Sequence, residues 1–324
     1  MIALWDTKGT EVVKALSAER RTAGGVASGL ALTLIAVVDE VRVREAETAA
    51  ATAAAAHPCR LLIVVRRPDP VASGESRLDA EIVVGGRLGP AEAVVLHMSG
   101  RLSLHPESVV IPLLAPDVPV VTWWHQPPPE SIATDPLGVL AERRITDVAQ
   151  ADDPLVALHV RAADYAPGDT DLAWTRATPW RTLVACTLDP VPAGVESATV
   201  TATPGDPSAA LVRGWLQARL GLTPTMADAE PGGIAEIVLR LSDRSEIAIA
   251  ERDGVGRLRR TGLPERAMPL LRRQLGEQLA EELRRLGADQ PYADALACAT
   301  GVTGLHERPA TRVHVWYDPA PVSA

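Results

Sequence analysis

The sequence predicts an α/β protein of two domains: a doubly wound, mostly parallel sheet first, then a smaller α+β domain. Three observations support this prediction. Strand and helix patterns alternate through the first half, an antiparallel hairpin pattern stands in the second half, and a long amphipathic helix pattern follows the hairpin. The chain has 324 residues, more than one domain usually holds, and the predicted division is 1–167 and 168–324.

The first domain begins with a helix and a βαβ unit. Residues 10–21 carry apolar side chains at helical spacing. Residues 31–38 and 60–65 are almost continuously apolar, which is typical of strands buried on both faces. The alanine-rich segment 40–56 between them predicts a helix, because alanine has the highest helix propensity. A strand, a helix and a strand in this order predict two parallel strands joined by a crossover.

Alternating patterns continue to the end of the first domain. We predict strands at 78–84, 93–98, 119–124 and 145–148, and helices at 106–114, 137–143 and 154–165.

The second domain is predicted to follow a linker at Ala166–Asp169, which has the sequence APGD. We predict helices at 179–188 and 207–220, strands at 198–203, 234–241, 246–251 and 256–261, and a long amphipathic helix at 268–286. The polar turn between 241 and 246 predicts the hairpin, and leucines at helical spacing predict the last helix.

Composition and motifs exclude several function classes. The formal net charge is −9, which disfavours general nucleic-acid binding, because neutralising phosphates needs a basic surface. No GxGxxG follows a predicted strand, and the sequence has no GxxxxGK[ST], GxSxG or HExxH motif. The three cysteines show no CxxC spacing. We therefore expect no cofactor, metal, nucleic acid or membrane partner, and a cytoplasmic protein without a signal peptide.

The segment from Asp171 to Arg181, DLAWTRATPWR, concentrates side chains suited to binding. It holds two of the seven tryptophans of a chain without phenylalanine, together with Arg176, Thr178 and Arg181. Tryptophan and arginine are enriched at binding hot spots, because they supply rigid apolar area and forked hydrogen bonds. The other interpretation is two buried indoles at the start of a helix with Pro179 in its first turn. Both interpretations stay open.

The predicted strand at 119–124 ends in two tryptophans, and His125 follows directly. Trp123 and Trp124 are adjacent and must point to opposite faces of a sheet. Doubly wound sheets bind ligands at the carboxyl ends of their strands, so Trp123 or Trp124 with His125 is a candidate ligand or partner rim. An indole that covers the sheet is the alternative.

The sequence HPCR joins the predicted helix 40–56 to the next strand. One interpretation is a redox-active site, in which His57 lowers the pKa of Cys59 to form a thiolate. The other is a structural corner, with Cys59 as a small buried apolar residue, Arg60 entering the strand and His57 near the helix C-terminus.

In their order along the chain, HPCR at 57–60, PVVTWW at 119–124 and DLAWTRATPWR at 171–181 resemble the glucose-6-phosphate dehydrogenase assembly protein family of the OpcA type. The opening IALWDTKGTEVVKALSAERR and the later ALTLIAVVDE are also similar to that family, and the resemblance runs from Trp5 to about Arg181. It implies a protein without catalytic activity that binds glucose-6-phosphate dehydrogenase and activates it allosterically in the oxidative pentose phosphate pathway. The candidate partner-binding or interdomain residues are Trp174, Arg176, Thr178, Trp180, Arg181, Trp123, Trp124 and His125.

A ligand-binding protein or enzyme acting on a sugar phosphate or nucleotide is the alternative function. In that case a phosphate would be held by arginines, for which the candidates are Arg60, Arg101, Arg176 and Arg181. A structural component of another complex is a third interpretation.

Overall fold

The structure is a computed structural model that describes residues 2–22, 29–67, 76–84, 92–252, 254–310 and 313–314. Its α-helices are α1 Gly9–Thr22, α2 Val43–Ala56, α3 Glu107–Val110, α4 Pro154–Asp164, α5 Leu172–Arg176, α6 Thr178–Leu188, α7 Pro207–Leu220, α8 Leu275–Glu282 and α9 Gln290–Thr300. Its strands are β1 Ile2–Leu4, β2 Leu32–Val38, β3 Cys59–Arg67, β4 Arg77–Val84, β5 Glu92–Ser99, β6 Val120–His125, β7 Arg143–Thr146, β8 Asp169–Asp171, β9 Val195–Ala202, β10 Thr225–Asp228, β11 Ile234–Leu241, β12 Glu246–Arg252, β13 Val255–Arg260 and β14 Leu263–Met268.

The chain forms two compact units. The first consists of Met1–Thr146, Leu275–Gly287 and Ala310–Ala324, and the second of Asp147–Gln274 and Ala288–Pro309. Each unit is therefore built from segments that are distant in sequence. These units divide the chain at other residues than the ranges 1–167 and 168–324, and that domain division stays a prediction.

The first unit is built on seven strands of a large mixed sheet, in the order β1-β4-β5-β3-β2-β6-β7. The pairs β2–β3, β2–β6, β3–β5 and β6–β7 are parallel, whereas β4 is antiparallel to both β5 and β1. The predicted α/β class and the βαβ unit of β2, α2 and β3 are confirmed. That the sheet is doubly wound stays a prediction.

The two faces of β4 have different roles. Leu78, Ala80 and Ile82 are buried in the core of the first unit together with Val12 and Leu16 of α1. Because side chains alternate along a strand, Asp79 and Glu81 stand on the opposite face of the sheet. That face of β4 is polar.

Helix α2 packs closely against α8 in the first unit. Its inner face is alanine, and Ala46, Ala50 and Ala53 are fully buried. Gly276 of α8 has no side chain at the contact, where a Cβ would lie 2.5 Å from the Cβ of Thr52. Small residues on both helices therefore permit this approach.

The second unit is built on a six-stranded sheet in the order β10-β9-β11-β12-β13-β14. Its pairs are antiparallel except for β10–β9, so the predicted hairpin of β11 and β12 is confirmed. One face of the sheet packs on α6 and α7. Helix α7 also contacts α9 at Gly214, where a Cβ would lie 2.1 Å from the carbonyl oxygen of Ala295.

The prediction of one long helix at 268–286 is wrong. Strand β14 ends at Met268, and the helical part is only Leu275–Glu282, which belongs to the first unit. Pro269 has no N–H and favours an extended residue before it. Leu270 is buried in the core of the second unit, and Arg272 pairs with Glu251 at 2.5 Å. These contacts hold the segment after Pro269 outside a helix.

Two further predictions need correction. Residues 137–143 form turns and the beginning of β7 instead of a helix. The predicted linker Ala166–Asp169 is a buried turn of the second unit. The Asp169 carboxylate accepts the N–H of Ala166 at 2.8 Å, and the N–H of Asp169 donates to the Ala166 carbonyl at 2.9 Å. A segment bonded in this way is fixed within its unit, unlike an exposed linker.

Candidate functional site

The segment from Asp171 to Arg181 forms α5 and the first turn of α6. Asp171 caps α5 by accepting the N–H of Ala173 at 2.8 Å, as an N-cap aspartate does. Trp174 is buried in a core with Tyr292, and their ring centroids are 5.8 Å apart. Its indole N–H donates to the carboxylate of Asp289 at 2.9 Å. Trp174 is thus a satisfied core residue of the second unit.

The two arginines of this segment are held by neighbouring groups. Arg181 lies over the Trp174 ring at 3.3 Å and donates to the hydroxyl of Thr178 at 2.8 Å. Arg176 forms a two-pronged ion pair with Asp147, at 2.5 and 3.1 Å. Burial lowers the pKa of Arg176, but Asp147 outweighs burial and leaves that pKa above its ordinary value. Both guanidinium groups therefore have structural partners.

Trp180 packs separately from Trp174, in the core between α6, α7 and the six-stranded sheet. Its side chain is 7% exposed. In this conformation Trp174 and Trp180 offer a partner almost no surface. The structure favours the core interpretation of the segment, and its role in partner binding stays a prediction.

Trp123 and Trp124 lie on opposite faces of β6 and are both buried. Trp124 belongs to the core against α1, while the ring of Trp123 stacks on His125 with centroids 4.7 Å apart. Nε2 of His125 lies 3.0 Å from a carboxylate oxygen of Glu45, and Arg42 donates to the His125 carbonyl at 3.3 Å. The end of β6, where such sheets bind ligands, is therefore covered by side chains from the start of α2.

The HPCR segment is a buried corner in the first unit. Nε2 of His57 lies 3.0 Å from the carbonyl oxygen of Ala280 in α8. Cys59 is fully buried, and burial raises the pKa of its thiol to about 12. A redox-active thiolate needs the opposite shift, so the structure favours the structural corner over the redox interpretation.

Arg60 is also held inside the first unit. It donates to Glu92 at 2.9 Å and to the Leu113 carbonyl at 2.8 Å, and Glu92 pairs in addition with Arg20. Arg60 stands at the start of β3, whereas Arg101 follows the end of β5, which is parallel to β3. Arg60 thus lies at the amino ends of these parallel strands and Arg101 at their carboxyl ends, so the two arginines do not share a phosphate site.

The sequence did not predict an open cleft in the first unit, beside Trp5. The cleft has a volume of about 770 Å³, and the Trp5 indole at its border is 66% exposed. We call it the Trp5 cleft. Its lining residues are Trp5, Glu40, Val43, Arg44, Glu47, Thr48, Arg67, Asp79, Glu81, Val95 and His97.

The Trp5 cleft has a helical wall and a sheet floor. Val43, Arg44, Glu47 and Thr48 recur at the spacing of one face of α2, away from its buried alanines. The floor is the polar face of β4 with Val95 and His97 of β5, and the register pairs Asp79 with His97 and Glu81 with Val95. The helix and the sheet together fix the shape of the cleft.

Ion pairs order part of the lining. The Glu40 carboxylate lies 2.5 Å from Arg67 and 3.2 Å from Nδ1 of His97. Burial raises the pKa of Glu40, but the hydrogen bond from Arg67 and the charge of His97 outweigh it and leave that pKa below its ordinary value. Glu40 is therefore ionised and bound at neutral pH.

Sequence reasoning missed this cleft because its lining comes from distant parts of the chain: Trp5 after β1, Glu40 before α2, and residues of α2, β3, β4 and β5. The one local signal was Trp5 itself, a tryptophan followed by the polar sequence Asp6-Thr7-Lys8. In the described part of the chain, no His, Cys, Asp and Glu side chains are grouped as a metal site requires. No helix in the same residues is long and apolar enough to cross a membrane.

Comparison with known proteins gives two successive family matches. Residues 50–163 match the family model for the N-terminal domain of the glucose-6-phosphate dehydrogenase subunit. Residues 167–296 match the family model for the C-terminal domain of the same protein. A search of the curated proteins found no match. The two matches stand in N- to C-terminal order and together cover most of the chain, so the resemblance is confirmed: the chain belongs to the OpcA-type glucose-6-phosphate dehydrogenase assembly protein family.

Proposed function

We propose that this chain is a non-catalytic factor that binds glucose-6-phosphate dehydrogenase, promotes its assembly and activates it in the oxidative pentose phosphate pathway. The observation that carries the proposal is the pair of successive family matches over 50–163 and 167–296.

The side chains that would serve catalysis or phosphate binding are buried or engaged in contacts within the chain. Cys59 is buried with a raised pKa. Arg60 is bound by Glu92, Arg176 by Asp147, and Arg181 by the Trp174 ring. Groups engaged in this way would have to break internal contacts before they could act on a substrate. The alternative sugar-phosphate function therefore receives no support from these residues.

Activation has a defined thermodynamic form. A bound protein raises the activity of an enzyme only if it binds the active state more tightly than the inactive state. Typical coupling free energies are about 1–3 kcal/mol, which corresponds to roughly 5- to 150-fold in the equilibrium between the two states. We expect the equilibrium between the two states of the enzyme to shift within this range. The shift should appear as a change in the apparent substrate requirement, the turnover or the oligomeric state of the enzyme.

The test uses purified glucose-6-phosphate dehydrogenase from the same organism, assayed with and without this chain over a range of glucose 6-phosphate concentrations. Size-exclusion chromatography of the mixture measures complex formation. We expect co-elution together with a lower apparent substrate requirement or a higher turnover, and heat-unfolded chain is the control. A folded chain that neither co-elutes with the enzyme nor changes its rate would contradict the proposal.

A further inference from the structure

The Trp5 indole is exposed at the border of a cleft, which is an unusual position for the largest apolar side chain. Isolated exposed apolar residues are common on protein surfaces. An exposed tryptophan beside a concave surface is different, because tryptophan is enriched among the residues that carry most of the binding energy of interfaces. Trp5 contributes a large area that is 66% exposed in the free protein.

A turn that is hydrogen-bonded to β4 holds Trp5 in this position. Asp6 has a φ of 47°, in the left-handed region that non-glycine residues seldom adopt. Its N–H donates to the Asp79 carboxylate at 2.8 Å, and the next N–H, of Thr7, donates to the Leu78 carbonyl at 2.8 Å. Arg77 in turn holds the same carboxylate at 3.0 Å. The position of Trp5 is therefore set by hydrogen bonds to β4, unlike that of a frayed terminus.

The charge of the cleft favours a cationic ligand group. Its lining holds the carboxylates of Glu40, Glu47, Asp79 and Glu81 and the guanidinium groups of Arg44 and Arg67. These four carboxylates outnumber the two guanidinium groups and the His97 imidazole together, so the formal charge of the lining is negative and an anion such as a phosphate is disfavoured. Glu81 forms no ion pair with any residue that the structure describes.

A lysine or arginine side chain would gain from both features of this surface. A cation placed over an indole face interacts favourably with the ring, and a carboxylate nearby adds a charge-assisted hydrogen bond. The Trp5 ring and the Glu81 carboxylate line the same cleft and offer these two interactions to one segment.

We infer that the Trp5 cleft is a docking surface for a segment of the partner enzyme that carries a lysine or arginine side chain. The inference rests on the proposed function, since it takes glucose-6-phosphate dehydrogenase as the partner. Trp5 supplies the apolar contact and Glu81 the complementary charge.

The experiment measures the affinity of the full chain for purified glucose-6-phosphate dehydrogenase by isothermal titration calorimetry. Trp5→Ala is expected to weaken binding at least tenfold. Glu81→Lys is expected to weaken it strongly at 50 mM salt and less at 500 mM, because salt screens charge repulsion. Glu81→Gln keeps the shape of the side chain and is expected to have a smaller effect in the same direction.

Matched controls lie in the second unit. Leu271→Ala truncates an apolar side chain that is 74% exposed, and Glu230→Lys reverses an exposed carboxylate. Both should bind the enzyme like the unaltered chain. Thermal unfolding of every variant verifies that the fold is kept.

The outcomes separate the inference from the proposed function. If the unaltered chain does not bind the enzyme, the proposed function fails. If the unaltered chain binds and the folded Trp5→Ala and Glu81→Lys variants bind equally well, the docking inference is overturned and the proposed function stands. Self-association of the chain that is lost in Trp5→Ala, with unchanged enzyme binding, would assign the cleft to a second copy and would also overturn the inference.

Discussion

The guanidinium group of Arg181 covers the indole of Trp174, with its central carbon 3.3 Å from the ring centroid. The same group donates to the Trp174 carbonyl at 3.3 Å and to the Thr178 hydroxyl at 2.8 Å. Arg181 of α6 thus connects the start of α6 to Trp174 of α5. The sequence marks these side chains as candidates for partner contact, and the structure shows that they contact each other.

This arrangement predicts that Arg181 contributes to stability. We expect Arg181→Ala to lower the free energy of unfolding by about 1–3 kcal/mol, from the lost cation–π contact and hydrogen bonds. Arg181→Lys keeps the charge but not the planar group, and should cost less. Urea unfolding followed by tryptophan fluorescence measures both, with the exposed Arg266→Ala as control. Unchanged stability of Arg181→Ala together with lost enzyme binding would instead support the predicted contact role.

A second prediction concerns the buried ion pair of Arg143 and Glu282 in the first unit. The carboxylate of Glu282 in α8 accepts from Arg143 at the start of β7, and Arg143 also donates to the Gly287 carbonyl at 3.0 Å. Glu282→Ala should destabilise the protein by about 3–5 kcal/mol, because it leaves a buried guanidinium without its counter-charge.

The double variant Arg143→Met with Glu282→Leu is the control for this prediction. It removes both charges and should be clearly more stable than Glu282→Ala, since no buried charge stays unpaired. Thermal unfolding measures the two variants side by side. If both lose the same stability, the cost comes from packing and the ion pair is not its cause.

The sequence predicted the elements whose pattern is local. The ranges 207–220 and 234–241 agree with α7 and β11 residue for residue, because Pro207 and Gly221 mark the ends of the helix and alternation marks the strand. The sequence missed α9 and β14, and it extended the helix of α8 backwards over residues 268–274, which are not helical. In that region contacts such as Arg272–Glu251 outweigh the helical spacing of the leucines.

The candidate site was less predictable for the same physical reason. The partners of Arg60 and Trp174 are Glu92 and Asp289, which lie 32 and 115 residues away in the chain. No local pattern indicates such pairs. Trp5 belongs to the opening that resembles the family, but its exposure depends on Asp79, 73 residues from Asp6.

The cysteines predict a clear difference in chemical reactivity. Cys186 is exposed, whereas Cys59 is fully buried and its pKa is about 12. At pH 8 iodoacetamide should modify Cys186 in the folded protein and leave Cys59 unmodified, because the thiolate is the reactive form. Mass spectrometry of labelled peptides gives the result, and the same labelling in urea is the control in which Cys59 must react. Fast labelling of Cys59 in the folded protein would contradict this prediction and support the interpretation of the HPCR segment as a redox-active site.

The last prediction concerns Asp79 and how the stability of the turn that holds Trp5 depends on pH. Burial raises the pKa of Asp79, but the Asp6 N–H, Arg77 and the more distant charge of His97 outweigh it, so this pKa is below its ordinary value. A depressed pKa means that the unfolded chain binds the proton more readily than the folded one. The stabilisation is therefore fully present above the unfolded pKa of about 3.9 and is lost as the pH falls through the folded pKa.

Comparison with Asp79→Asn isolates this contribution. The stabilisation that Asp79 provides relative to Asp79→Asn should be fully present above about pH 5, where the carboxylate is ionised in both states. It should shrink as the pH falls from about 4 through the lowered folded-state pKa of Asp79. Urea unfolding at each pH measures the difference, and Glu230→Gln controls for the loss of an exposed charge. Because Asp79 fixes Asp6, Asp79→Asn should also weaken enzyme binding at neutral pH, in the same direction as Trp5→Ala. A stability difference that does not shrink below about pH 4 would show that Asp79 is not the group that stabilises this turn.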